Sequence, residues 1–485
     1  MHRQAVKSSF LLAAAVAVSL FFRLFKLEAF YGFEYDQDLY SWIVKDILID
    51  HNLRLIGQMT SIDGVFIGPL YYYLLVPFYF VFSMNPLSAN FLAATISVLT
   101  ILSIYWVFSK IFDAKVAIYG SIIYASSLSI AFIDRWVVPT QPTILWTTWF
   151  LYCLFKLSKG EVKTLPILGI LLGLIWHIHV ALLPLVLLIP LCFTKALVKR
   201  LNAKLIILSL FAILILTAPF WLFEVRHGFG QIVTVINFAN NPESGQKTGV
   251  LRLKEVLDGT AAAFSKIIFF RSPVSTILTL ASFYLSCLYL TAKGSLGKKQ
   301  LFLTVSWSLI TVFVQQLSNR SLSDYYFNNL IAIGILILSL LLSHITENKK
   351  LKLVPTVLLA FFVIYNFYKL TSPIPHENYQ QKTELLKSIK KDSVDKNLPC
   401  VAINLVADFT KNVGFRYLYW YYNLDVVRPA EDVPVYNVAF PKTLFEKSHY
   451  IVGNYAVITP EAKDYKNEAC TDPKNQLAPL LGFTN

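Results

Sequence analysis

The chain has 485 residues, of which 56% are hydrophobic and only 15% are charged, and its formal net charge is +14. Because soluble globular proteins carry about 25% charged residues, this composition excludes an ordinary soluble domain and indicates an integral membrane protein. The positive charge does not indicate nucleic-acid binding, since the basic residues lie in short clusters between apolar segments, as in loops retained in the cytoplasm.

Nine apolar segments are long enough to cross about 30 Å of hydrocarbon as single helices. They are residues 8–25, 87–109, 116–133, 138–156, 205–223, 274–292, 300–317, 327–344 and 353–369. The first is followed by no small-residue cleavage site, so we expect an uncleaved span. Residues 165–193 are too long for one crossing and short for two, and residues 68–83 are short and contain two prolines.

The positive-inside rule predicts the topology. Placing all six basic clusters in the cytoplasm requires an even number of crossings between consecutive clusters. Residues 165–193 then form a hairpin of two short helices that turns near His177 and His179, and residues 68–83 dip into the outer leaflet without crossing. The prediction is eleven crossings in the plasma membrane, with the N-terminus in the cytoplasm and the C-terminus outside.

Three polar segments lie between or after these spans. Residues 26–68 form a first outer loop with a helix suited to the membrane interface, and residues 224–273 form a second large outer loop. Residues 371–485 have the composition of a soluble domain, so we predict a membrane domain of residues 1–370 followed by a small extracytoplasmic α/β domain. Cys400 and Cys470 lie in that domain and are candidates for a disulfide.

The predicted topology brings ionisable residues from distant segments to the outer face. Such residues are costly beside a bilayer and usually mark a substrate path or a catalytic site. The candidates for the substrate pocket, besides Asp36 and Asp38, are Glu34, Tyr71, Asp134, His177, His179, Asp324 and Tyr325.

Asp36 and Asp38 are candidate catalytic residues. A carboxylate there can serve as general base, taking a proton from an acceptor hydroxyl while that oxygen attacks an activated sugar carbon. Because residues two apart face opposite sides of a strand or diverge on a helix, we expect one to react while the other orients it or holds a cation. The alternative is that both only cap and solvate an interfacial helix.

A sugar donor outside the cytoplasm must be carried by a lipid phosphate, because nucleotide sugars are absent there. Arginine suits the phosphate through its bidentate geometry, although each arginine taken alone can also simply extend to the interface. The predicted phosphate-binding residues are Arg226, His227, Arg135 and Arg320.

Six short motifs occur in the order EYDQDLY, GPLYYYLL, DRW, WHIH, FEVRHGF and DYYF. This order resembles the multispanning lipid-phosphate-sugar glycosyltransferases of the C-type (GT-C) fold. Within them it is similar to glycosyltransferase family 39, which includes protein O-mannosyltransferases and the aminoarabinose transferases of lipid A. The resemblance covers about residues 8–370 and implies an all-α polytopic fold of about eleven transmembrane helices.

The resemblance also implies residue roles. Asp36 matches the family's base, and Gln37 stands where glutamate is common, which leaves Asp38 to supply that charge. Residues 66–70 read FIGPL and lack the family's basic residue, which shifts the phosphate contact towards Arg226. Some relatives use a divalent metal, for which Asp36 and Asp38 are the candidate ligands, but the missing acidic partners argue against a firm site.

The predicted function is therefore inverting transfer of a sugar from a polyprenyl-phosphate donor to an extracytoplasmic acceptor, which is a protein, a lipid or a glycan. One alternative is a structural or receptor protein whose outer tail is the working part. The other is a transporter or flippase of lipid-linked saccharides. That alternative predicts inverted repeats and interrupted helices that meet at mid-membrane. The sequence shows no such repeat.

Overall fold

A computed structural model describes residues 2–240, 249–270, 274–318, 321–372, 379–408, 413–461 and 463–477. Helices dominate the chain up to residue 371. They are α1 (His2–Leu24), α2 (Leu27–Phe30), α3 (Tyr35–Leu48), α4 (Leu70–Val81), α5 (Ala89–Ile111), α6 (Ala114–Ser126), α7 (Leu128–Arg135), α8 (Thr143–Leu157), α9 (Leu165–Ile178), α10 (Leu188–Leu191), α11 (Lys195–Lys199), α12 (Ala203–Arg226), α13 (Gly230–Asn240), α14 (Gly249–Ser265), α15 (Thr276–Ala292), α16 (Lys298–Leu317), α17 (Ile331–Ile345) and α18 (Val354–Thr371). The longer 3-10 helices are Val180–Leu187 and Asp324–Leu330.

Five described helices are long and apolar enough to cross a membrane alone. They contain α5, α12, α16, α17 and α18. The pair α6 and α7 adds a sixth if it is one span, bent by 64° where Ser127 takes an extended backbone. The other predicted spans are shorter apolar helices. The predicted polytopic helical fold is thus present, whereas the number of eleven crossings stays a prediction.

A buried ion pair joins the first helices. Arg23, in the last turn of α1, lies 2.6 Å from Asp134, in the last turn of α7, and both side chains are at most 2% exposed. Asp134 also accepts hydrogen bonds from Ser97 of α5 (3.1 Å) and Tyr124 of α6 (2.8 Å). The ends of α1 and α7 therefore lie at the same level, as the predicted topology requires.

The short helix α4 lies beside α3. Its 12 residues span about 18 Å, which is too short to cross the hydrocarbon. Near its start Tyr71 donates to Gln141 (3.2 Å), and near its end Tyr79 shares a hydrogen bond with Ser41 of α3 (2.6 Å). This length favours the prediction that residues 68–83 do not cross.

The C-terminal region, residues 379–477, contains a mixed sheet. Its elements are α19 (Tyr379–Asp395), β1 (Val401–Val406), α20 (Arg416–Tyr421), β2 (Val426–Val427), β3 (Val435–Ala439), β4 (Tyr450–Val452), β5 (Tyr455–Ile458) and α21 (Asn467–Thr471). The strand order is β2-β1-β3-β5-β4, with β1 parallel to β2 and β3 and the other pairs antiparallel. Cys400 and Cys470 form a disulfide in this region, with 5.8 Å between their Cα atoms.

One apolar core is shared between the first predicted outer loop and the C-terminal region. Buried residues of α3 and α4, including Val44 and Leu75, belong to the same cluster as Leu386 of α19 and Val457 of β5. The C-terminal region is therefore packed onto α3 and α4 rather than suspended from α18.

We expect Asp134→Ala to destabilise the fold by about 3–5 kcal/mol, because it leaves the buried guanidinium of Arg23 without a counter-charge. Thermal unfolding of the detergent-purified protein measures the change. The double variant Arg23→Met/Asp134→Leu should recover most of the loss, since it removes both charges. A single variant as stable as the wild type would contradict this role.

Candidate active site

A cavity of about 290 Å³ lies where the first predicted outer loop meets the ends of several helices. Its wall includes residues 58–61 of that loop, residues 138–141 after α7, and the end of α9. The ionisable side chains that line it are Asp36, His179, Lys266, Asp324 and Tyr325. The cavity thus brings together four of the predicted site residues and one lysine that was not predicted.

Asp36 lies in the first turn of α3, which is fixed by a capping box between Glu34 and Gln37. The side-chain amide of Gln58 donates to Asp36 Oδ1 (2.7 Å), and Tyr40 donates to the amide oxygen of Gln58. Because Tyr40 fixes which way the amide points, Gln58 presents its N–H to the carboxylate. This chain of hydrogen bonds orients Asp36 towards the cavity.

The environment of Asp36 also sets its acidity. Burial raises the pKa of its carboxyl from 3.8 to about 6; the Gln58 hydrogen bond opposes the shift, and the charge of Glu34 adds to it. A carboxylate with such a pKa is ionised at neutral pH and is a stronger base than an exposed aspartate.

Asp38 points away from this cavity. It is 1% exposed, and its two oxygens accept hydrogen bonds from the backbone N–H groups of Arg416 (3.0 Å) and Tyr417 (2.6 Å) in the C-terminal region. Burial raises the pKa of Asp38 to about 6, although the two backbone donors and the charges of Lys382 and Arg416 oppose the shift. Two residues apart on a helix means about 200° of rotation, which explains the divergence.

Lys266, directly after α14, supplies the cation of the cavity. Its ammonium lies 2.5 Å from Asp324, and the two side chains are 34% and 85% exposed. The predicted phosphate ligands are three arginines and one histidine and do not include this lysine. The available signal was a single charged residue in the segment AAAFSKIIFF, which is otherwise apolar apart from Ser265. Gln58 was missed too, and no local pattern distinguishes it.

The predicted phosphate ligands do not line the cavity in the part of the chain that the structure describes. Arg135 donates to the carbonyls of Phe22 (2.7 Å) and Phe25 (2.8 Å), and so ties α7 to the end of α1. Arg226 is exposed at the end of α12, and the ring of His227 stacks on Phe223 with 4.0 Å between centroids. Arg320 lies outside the described residues.

Four predicted pocket residues instead support the walls or the helix that carries Asp36. Asp134 is paired with Arg23, as described above, and Tyr71 holds Gln141. His177 accepts from the backbone N–H of Leu70 (3.3 Å) and bonds the carbonyl of Leu216 (2.6 Å). Glu34 caps α3. By contrast, His179 and Tyr325 lie in the cavity wall with their rings 5.0 Å apart.

Asp36 and Asp38 do not fit the divalent metal that some relatives use. Asp36 and Asp38 face opposite sides of α3 and bind different partners, so they cannot share one ion. Among the described residues, no group of three or more His, Cys, Asp or Glu side chains is arranged to hold a metal.

Solved structures resemble this architecture across nearly the whole chain. ArnT from Cupriavidus metallidurans bound to undecaprenyl phosphate superposes with a TM-score of 0.54 and 13% identity, covering 94% of this chain and 98% of that chain. The apo state of the same ArnT gives 0.54 and 13% over 95% and 99%. The Archaeoglobus fulgidus oligosaccharyltransferase gives 0.47 and 14% over 89% and 68%. No family model and no curated protein sequence matches the chain.

The chain has the GT-C fold. The predicted fold class is confirmed, whereas the assignment to family 39 stays a prediction. At 13% identity the likeness concerns the fold alone, so the roles of the cavity residues rest on their geometry in this chain.

We expect Gly68→Ala to disrupt this site. A Cβ at Gly68 would lie 2.1 Å from Nδ1 of the buried His177, so the loop that carries Gln58 must shift. The overpacking should cost about 1–3 kcal/mol and lower the yield of folded protein. Gly230→Ala is the matched control, because nothing lies within 4 Å of the added carbon. Equal thermal stability of the two variants would contradict this packing.

Proposed function

We propose that this GT-C protein transfers a sugar from a polyprenyl-phosphate donor to an acceptor hydroxyl outside the cytoplasm, with inversion and with Asp36 as the general base. The observation that carries the proposal is that one cavity contains an oriented carboxylate, Asp36, and an ammonium, Lys266. The ArnT structure, whose fold the chain shares, contains undecaprenyl phosphate, which supports a lipid-phosphate partner.

Asp36 has the features that a single displacement requires. Gln58 holds one carboxylate oxygen, which leaves the other to accept the proton of the incoming hydroxyl. The acceptor oxygen forms its bond to the anomeric carbon as the bond from that carbon to the phosphate oxygen breaks. Since the base acts on the acceptor and the phosphate leaves from the opposite face, one carboxylate suffices and the configuration inverts.

Lys266 is suited to the leaving phosphate. Its present partner, Asp324, is mostly exposed, and exposed ion pairs contribute only about 0–1 kcal/mol. A phosphate can therefore replace the carboxylate of Asp324 at little cost. Lysine binds phosphate as a point charge, whereas arginine uses a planar fork, so Lys266 can hold the phosphate without the predicted arginines.

A second cavity, the apolar groove, is lined by residues on either side of Lys266 in the chain. These two neighbours, Ser265 and Ile267, line a space of about 290 Å³ between α15 and α17. The wall of that groove is mainly apolar, including Phe283 and Leu341. A donor whose phosphate lies at Lys266 can place its first isoprene units there, which favours a lipid-linked donor over a water-soluble one.

We expect Asp36→Asn to lower kcat by about 10²–10⁴-fold in an assay with polyprenyl-phosphate sugars. In the wild type, we expect kcat/KM to rise as the pH increases through about 6, the pKa of Asp36. The value of kcat/KM rises with pH because the base must be deprotonated to act. Below the pKa of Asp36, kcat/KM therefore falls about tenfold per pH unit. Asp50→Asn, a partly exposed carboxylate just after α3, is the control.

Full turnover by Asp36→Asn would exclude Asp36 as the base. Movement of intact donor across vesicle membranes, with no release of polyprenyl phosphate, would favour the flippase alternative instead.

We expect Lys266→Met to raise the Kd for polyprenyl phosphate by about 10–100-fold, because one charge-assisted hydrogen bond contributes about 1.5–3 kcal/mol. Lys254→Met is the matched control, since Lys254 is exposed on α14 and does not line either cavity. Binding of the lipid to detergent-solubilised protein measures both. Unchanged affinity in Lys266→Met would remove the proposed phosphate site.

A further inference from the structure

We propose that the C-terminal region is a positioning element for Asp36 and acts through Asp38 and Lys382. The inference rests on the proposed role of Asp36 and concerns how its geometry is maintained. It assigns a catalytic contribution to a region whose described residues line neither the Asp36 cavity nor the apolar groove.

The first contact follows Asp36 in the chain. The carboxylate of Asp38 accepts the backbone N–H groups of Arg416 and Tyr417, which are the first two residues of α20. Both residues of α20 lie 378 or more positions away in the sequence. Asp38 is thereby fixed by a separate part of the chain, and Asp36 lies half a turn before it on the same helix.

The second contact precedes Asp36. Lys382 of α19 is 2% exposed, and its ammonium donates to the carbonyls of Phe33 (2.7 Å) and Val413 (2.8 Å). Gly414 fits against the same carbonyl, with φ +83°; a Cβ there would lie 2.5 Å from the oxygen of Phe33. The backbone just before α3 is therefore bonded to a buried cation and closely packed.

A third contact lies further upstream. The backbone N–H of Tyr379, at the start of α19, donates to the carbonyl of Tyr31 (2.9 Å). Hydrogen bonds from the C-terminal region thus hold positions 31, 33 and 38, on both sides of Asp36. Because α3 begins at residue 35, these bonds set the direction in which its first turn presents Asp36 to the cavity.

The rate depends steeply on the position of the reacting group. A displacement of about 1 Å of a reacting group can reduce a rate about 100-fold. Binding of the lipid phosphate uses Lys266 instead, which belongs to the segment after α14 and makes none of these contacts. Loosening the contacts should therefore lower turnover and leave donor binding unchanged.

The test compares kcat with the Kd for polyprenyl phosphate in Asp38→Asn and Lys382→Met, at a temperature below the unfolding midpoint of each variant. We expect kcat to fall about 10–100-fold while Kd stays within about twofold of the wild type. Lys382→Arg should restore most of the turnover, since it can still donate to both carbonyls. The isosteric Asp38→Asn decides the outcome if Lys382→Met does not fold.

Tyr436→Phe is the matched control. It removes a hydrogen bond to Asp392 (2.6 Å) that lies inside the C-terminal region, so it should lower stability without changing kcat. Wild-type kcat in Asp38→Asn, or a parallel loss of donor binding and turnover, would overturn the inference.

Asp36→Asn separates this inference from the proposed function. Retention of turnover in Asp36→Asn contradicts the proposed function itself. If Asp36→Asn is inactive while Asp38→Asn and Lys382→Met turn over like the wild type, only the positioning role is wrong.

Discussion

The rotation of about 100° per residue along α3 is the constraint on which the site depends. It turns Asp36 into a cavity that also contains Lys266, and it turns Asp38 towards the backbone of α20. One short helix therefore lines the cavity on one side and contacts the C-terminal region on the other. The two carboxylates have pKa values raised to about 6 by the same cause, burial, and differ in what they face.

The cost of burying charge explains which of the ionisable residues are available to a substrate. Arg23 and Asp134 neutralise each other, and Arg135 is bound by two carbonyls, so each is committed to holding helices together. Asp36 and Lys266 are only partly buried and line open space. The proposed chemistry therefore uses the incompletely buried charges of this protein, whereas the deeply buried ones stabilise its helices.

The local pattern of apolar residues was enough to predict most of the fold, because the length and the apolar content of each segment are local properties of the sequence. The divergence of Asp36 and Asp38 and the short helix within residues 68–83 follow from the same rules. Pairings between distant segments are not local: nothing in the sequence near Asp134 indicates that Arg23 neutralises it. Lys266 was missed for the same reason. Its proposed role depends on the cavity that it shares with Asp36 in the folded chain, and the sequence around Lys266 does not indicate that cavity.

The shared core of α3, α4 and the C-terminal region has a consequence for biogenesis. The ribosome completes Asp38 378 residues before it reaches Arg416. At about 5–20 residues per second, the early loop waits roughly 20–75 s for its partner strands, while the intervening spans are inserted. During that interval its apolar face is uncovered, so a chaperone or the lipid interface has to shelter it, and α3 and α4 complete their packing only after the C-terminal region emerges.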